Sequence, residues 1–497
     1  MNLKTKYQKK SWADRFAVNG KIIRNSIYST VKSLGSLLFP LITFAYTSRI
    51  FLADGKGKID FASSVVSIFS MISMLGINGY GIRECSKIRD DRNGLSSLFS
   101  VLLSINFMAA LFSYILLFCF LGISPKAGEY KSEILLFSTG IVFNVLGVEW
   151  LYTAVEDYRY LTIRSLIVEL LSLIAVVVFV HKKEDIIIYI IISVIATGGN
   201  NIIAFFHAQE YVDLRIPRFR DMIPHLKPIL NLFLLGIFIR IFNEIDTLMI
   251  GYLSTESEVG LYSASYKISS VLSTLILSAT TVVLPRMAYE FEKRESDKAN
   301  EILKTSVQYI WMIGLPLAVG ACIYSKDFIS ILSGDAFVQA TASSRILSIR
   351  TLLSPINAMF LLHYLVPRGN EKEAIIITSV AALGNIMLNA CLIPSYGAVG
   401  ASMATVAAEA IEFIVMSKYI TRYMKLSFVF ENTHHYLIAV APVAIAAIIT
   451  LSVRNMVLGI VVGVAISVPI YAGMLMLIKN KYFKSGLSVL RSIVKHG

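Results

Sequence analysis

Ten ionisable side chains interrupt sequence that is otherwise apolar: the cations Lys32, Arg240, Lys267, Arg345 and Arg350, and the acids Glu169, Glu244, Asp246, Glu409 and Glu412. A charge in mid-bilayer costs about 2.5–3.5 kcal/mol on insertion scales, so such a group faces a partner or water. Spacing suggests some partners. Arg240 and Glu244 stand at i, i+4 on one helix face. Lys32 and Glu169 both fall about 12–14 Å from an inner boundary, and Asp246 and Lys267 about 9–11 Å from an outer one. Arg345 and Arg350 are about 140° apart round one helix and cannot share a face. Arg345 lies near the outer boundary, where it can snorkel. Two readings follow. The charges either neutralise one another between helices or line a hydrated chamber, and a chamber rich in guanidinium and ammonium groups suits phosphate or diphosphate oxygens.

Other chemistry finds little support. There is no G-x-x-x-x-G-K-[ST] for a nucleotide and no H-E-x-x-H for zinc, nor a D-x-D for metal-assisted sugar transfer. Cys85, Cys119, Cys322 and Cys391 are isolated, and His434 and His435 alone make a poor metal site. Gly400-Ala401-Ser402-Met403-Ala404 approximates a nucleophile elbow, but small residues at the start of a spanning helix serve close packing. No catalytic residue, metal or cofactor is expected, and the chain is not expected to be an enzyme.

The elements that hold these charges are spanning helices. The 497 residues are 56% hydrophobic and 16% charged, with a mean hydropathy of +0.67. That is too little polar surface for a soluble chain of this length. Apolar runs of about 20 residues, the length of one crossing, fall near 25–48, 60–80, 96–121, 133–153, 161–180, 186–206, 228–252, 260–284, 303–324, 343–365, 374–394, 397–418, 436–453 and 457–478. The spacing predicts an all-α polytopic membrane protein of about 14 spans. The least regular are the first and tenth, which contain Pro40 and Pro355. A β-barrel is excluded, because the runs are continuous and not alternating.

The net charge of +13 could suggest nucleic acid, but its distribution says otherwise. With the N-terminus inside, the inner segments carry 32 lysines and arginines against 9 outside. That is the positive-inside bias, and it places both termini in the cytoplasm. No loop exceeds about 20 residues, too short for a soluble catalytic domain.

Several stretches resemble bacterial polysaccharide-biosynthesis flippases. Asn25–Arg49, with Pro40 and the exit Tyr46-Thr47-Ser48-Arg49, is similar to their opening helix, and Gly76–Glu84 to the end of the second. Glu149-Trp150-Leu151-Tyr152 with Glu156-Asp157-Tyr158 resembles the fourth-helix exit. Asp246–Gly251, Val259–Ala264 and Leu284-Pro285-Arg286 resemble the start of the second half, and Ile393–Glu409 the hairpin between helices eleven and twelve.

The resemblance implies the fold of the multidrug/oligosaccharidyl-lipid/polysaccharide exporter superfamily: two six-helix bundles plus two C-terminal helices. On this division a basic cytoplasmic tail (1–24) precedes an N-lobe (25–206), a linker (207–227), a C-lobe (228–418), helices 13 and 14 (436–478) and a basic cytoplasmic tail (479–497). The implied activity is flipping an undecaprenyl-diphosphate-linked oligosaccharide across the bacterial inner membrane by alternating access, for O-antigen, capsule or exopolysaccharide. The diphosphate and sugars would meet Lys32, Arg49, Arg240, Lys267, Arg345 and Arg350. Glu169, Glu244, Asp246 and Glu409 would be ion-pair or coupling acids. Membrane lipid, and polymerase and chain-length proteins of the same pathway, would be partners; nucleic acid would not. A cation-coupled multidrug exporter is the first alternative, but it calls for a carboxylate in the first helix, where this chain has Lys32. A polysaccharide polymerase calls for a large outer loop, and no outer segment exceeds about 18 residues.

Overall fold

A computed structural model describes residues 12–278, 287, 290, 291, 293 and 296–487. The segments 1–11 and 488–497 of the two tails, and the motif Leu284-Pro285-Arg286, lie outside them. The described residues form helices and no strand, as apolar sequence without sheet partners must in a bilayer. In chain order the helices are α1 (Trp12–Met74), α2 (Ile77–Lys87), α3 (Arg92–Ile123), α4 (Pro125–Glu129), α5 (Lys131–Val145), α6 (Glu149–Ala154), α7 (Tyr158–Phe179) and α8 (Ile186–His207). They continue with α9 (Phe219–Leu253), α10 (Glu256–Ser278), α11 (Ser296–Ile323), α12 (Ser325–Ser333), α13 (Thr341–Phe360), α14 (Glu371–Ile420), α15 (Thr433–Thr450) and α16 (Met456–Leu477).

Among the described residues, eleven helical segments are long and apolar enough to cross a membrane, against the fourteen expected. The difference has three sources. Ile27–Lys87 and Glu371–Ile420 each hold two expected spans, and α10, with Glu256, Glu258 and Lys267, falls outside the set. The long helices α1 and α14 are each broken once inside their length. In α1 the break is at Leu52 (φ 57°, ψ −170°), and in α14 at Gly397 (φ 52°, ψ −129°). A side chain at 397 would be strained and would also collide with the Glu258 carboxylate, which accepts the Ala398 N–H at 2.7 Å. Pro40 and Pro355 sit inside α1 and α13, and α13 runs into a π-helical turn, Leu361–Leu365.

The chain divides into two compact units, Met1–Thr43 with Val66–Phe233, and Phe44–Val65 with Leu234–Gly497. This division differs from the lobes expected at 25–206 and 228–418 in assigning Phe44–Val65 to the second unit. In the first unit Ile77, Phe99, Leu102, Trp150 and Tyr152 are core residues. Asp91 caps α3 by accepting the Asn93 N–H, and Asp157 caps α7 by accepting that of Tyr160. Outside the spans, the Arg92 guanidinium bonds Asp213 at 2.9 Å and holds that carboxyl below its ordinary value. In the second unit, Gly57 abuts the backbone of Glu256 and Gly260 that of Ala53, a close approach that only small residues permit. An apolar hollow of about 470 Å³ lies there among Met312, Pro316, Tyr324, Val443, Gly463 and Tyr471, with no charged side chain in its lining.

Candidate functional site

In the first unit the charged group is built on α1, α6 and α7. Thr162 Oγ1 donates to the Tyr28 carbonyl at 2.9 Å, which fixes α7 along α1. Glu149 is the first residue of the short α6. Its carboxylate is held from both sides: Lys32 Nζ lies 2.8 Å from Oε2, and Arg164 Nη2 lies 3.0 Å from Oε1. Arg164 is buried between aromatic rings, 5.7 Å from the Tyr152 centroid and 5.3 Å from that of Tyr160. The expected pairing of Lys32 with Glu169 is corrected here. Glu169 accepts from Ser36 Oγ at 3.1 Å, one helical turn beyond Lys32, because Glu149 already holds the ammonium.

In the second unit α9, α10, α13 and α14 bring together a larger polar group. Asp246, 1% exposed, accepts from Tyr262 Oη at 2.6 Å and Thr405 Oγ1 at 2.8 Å on one oxygen, and from Asn389 Nδ2 at 2.6 Å on the other. Asn389 also donates to Asn385 Oδ1 at 3.0 Å. The proposed approach of Lys267 to Asp246 does not occur; Lys267 lies instead in the field of Lys56 and Asp60. Arg350 Nε is 3.3 Å from Glu409 Oε1, and Nη2 donates to Tyr266 Oη at 3.1 Å. Asn357 Nδ2 donates to Glu409 Oε2 at 2.7 Å, and Glu412 is buried on the same helix. Three carboxyls and one guanidinium are thus withdrawn from water in this group.

The remaining candidates are dispersed. Arg240 pairs with Glu244 at 3.1 Å as the i, i+4 spacing requires, and Glu244 also accepts from Ser64 Oγ at 3.0 Å. Arg49 donates to the carbonyls of Ala45, Ser330, Leu332 and Ile331, which occupies its guanidinium at the end of α12. Arg345 is exposed while Arg350 is buried, in keeping with their angular separation. Lys32, Arg240 and Arg350 therefore each touch an acid. Of the two readings open from the sequence, these three cations take the paired arrangement, because a solitary buried charge would carry its full desolvation cost.

Sequence reasoning passed over Arg164 and the neutral partners Tyr262, Tyr266, Asn357, Asn385, Asn389 and Thr405. The signal for Arg164 was its place three residues inside an apolar run. Amides and hydroxyls in helices give no comparable signal.

Comparison with known proteins places this architecture. The sequence profile described as polysaccharide biosynthesis protein matches residues 22–290, more than half of the chain. The chain belongs to the polysaccharide biosynthesis protein family. The MatE profile matches residues 232–391. A protein of Escherichia coli (strain K12) named as an O-antigen transporter is 22% identical over 399 residues, covering 80% of this chain and 96% of that protein. Among solved structures, the lipid II flippase MurJ in an inward closed conformation superposes with a TM-score of 0.71 at 14% identity, covering 91% of this chain and all of that one. An inward-facing multidrug resistance MATE transporter of the MOP superfamily gives 0.61 at 14% identity, covering 81% and 99%. The fold of this family member is accordingly that of the MurJ and MATE transporters.

Proposed function

We propose that the protein flips an undecaprenyl-diphosphate-linked oligosaccharide repeat unit from the cytoplasmic to the periplasmic leaflet of the bacterial inner membrane, for surface polysaccharide synthesis. The observation that carries the reading is membership of the polysaccharide biosynthesis family, joined to a nearly full-length match with a relative named as an O-antigen transporter. Both termini lie in the cytoplasm in this reading, and the lobes 25–206 and 228–418 alternate access. No catalytic step is assigned to the chain. The polymerase and chain-length proteins of the pathway take over the product.

The cations offered to the diphosphate and sugars are Lys32, Arg240 and Lys267, with Arg49 and Arg345 towards the outer end, and Glu149 and Glu244 have to yield Lys32 and Arg240 as the anion arrives. Asp246, Glu409, Glu244 and Glu169 are the groups through which an ion gradient would register. Transport is driven only if the ligand binds the two access states unequally. The multidrug reading has the shorter MatE match, and Lys32 stands where that reading calls for a carboxylate.

Deleting the protein tests the proposal. Short lipid-linked units should accumulate on the inner leaflet, and surface glycan should disappear. Accumulation on the outer leaflet would show that the step lost is polymerisation.

A further inference from the structure

The Glu149 fork is not built as a simple structural bridge. A buried bridge that only ties helices together repays the cost of leaving water when all its members find full sets of partners. Here Arg164 is withdrawn, with 4% of its side chain exposed, whereas Lys32 keeps 26% and Glu149 keeps 39%. Two cations share one carboxylate, so the trio carries one surplus positive charge. Arg164 has a further surplus: its Nε and Nη1 are buried without a hydrogen-bond partner among the described residues. Tyr152 and Tyr160 flank its guanidinium, and Tyr160 in turn stacks on His207 with centroids 3.6 Å apart. The guanidinium is therefore fixed in place, while the carboxylate and the ammonium are open to a newcomer.

We propose that Lys32 and Arg164 form a binding site for a phosphate-type anion and that Glu149 occupies it as an internal stand-in, displaced when the anion arrives. This rests on the flippase reading and adds to it Arg164, and an acid that competes with the headgroup. A carboxylate offers two oxygens to the two cations; a diphosphate offers the same pattern with more charge and more acceptors. Glu149 offsets one of the two positive charges when no ligand is present. Displaced, it remains a short-range repulsive charge that favours release.

Because the stand-in competes with the ligand, removing its charge should tighten binding. The full-length protein in nanodiscs is titrated with inorganic diphosphate. Glu149→Gln should bind it about tenfold more tightly than the wild type, the size of one charge-assisted hydrogen bond regained. Adding Arg164→Gln or Lys32→Gln to that variant should abolish the gain. Glu129→Gln, which removes a surface acid paired with Lys126 and outside the fork, should leave affinity within about twofold. Equal affinity in wild type and Glu149→Gln, both eluting as folded protein, would overturn the stand-in. So would a gain that survives loss of Arg164 and Lys32. Either result leaves the flippase reading to its own test, the leaflet on which lipid-linked units accumulate in the deletion strain.

Discussion

The two charged groups use the same residue types to opposite ends. In the first unit, two cations share one acid that stays partly in water. In the second, one arginine lies among three acids, and all four residues are at most 8% exposed. Burial decides what each can do. Arg350 cannot lose Glu409 without leaving an unpaired charge in an apolar surrounding, whereas Glu149 can leave Lys32 and be rehydrated. The first group is thus suited to exchange a partner. The second ties α9, α10, α13 and α14 together through Asp246, Tyr262, Arg350 and Glu409.

The sharpest break in this contrast comes from Arg350→Ala. It should cost about 3–5 kcal/mol, the usual loss when one partner of a buried pair is removed, and the protein should fall sharply in membrane abundance on immunoblots. Normal abundance would show that the second group is as exchangeable as the first. Next comes Lys32→Ala, for which surface glycan should be lost at nearly wild-type protein level, because Glu149 keeps Arg164 and the exposed pair is worth about 1 kcal/mol or less. Its double variant with Glu149→Ala should recover some glycan, and that with Glu169→Ala should not. Recovery with Glu169→Ala alone would restore the pairing expected from sequence.

Arg240→Ala should change the thermal midpoint little, since its i, i+4 pair with Glu244 is half exposed and worth about 0.3–0.5 kcal/mol. Any loss of glycan in that variant then reports on transport. The smallest effect belongs to Asp213→Asn. The Asp213 carboxyl titrates below its ordinary value because Arg92 bonds its charged form. Its stabilising contribution is therefore complete above the unfolded value near about 4 and is lost as pH falls through the lower folded value. Midpoints of variant and wild type measured down this range should converge in acid; a gap that widens would reverse the assignment.

Much of the fold was legible because lipid imposes a strong pattern. Twenty apolar residues announce a crossing, and lysines and arginines mark its cytoplasmic end. The bends at Leu52 and Gly397 were harder to place, since each falls between apolar runs with a short polar interval or none, and helix continues almost unbroken across it. The site was legible only where local spacing settles the partner. Arg240 with Glu244 is such a case, four residues apart. Equal depth brought Lys32 and Glu169 to the same level but could not supply rotation about α1 and α7, which directs Lys32 to Glu149. Asp246 finds amides and hydroxyls from two distant segments of α14, and neither type stands out in an apolar helix.

The bend at Gly397 bears on how the chain is made. Its turn is held by Glu258, a residue synthesised about 140 positions earlier, so the two arms of α14 leave the ribosome before their connecting peptide can be locked, and they must first reach a carboxylate already seated at the start of α10. The last turn of the hairpin therefore depends on an acceptor from a helix inserted well before it, and Glu258→Ala would leave the Ala398 N–H without that partner.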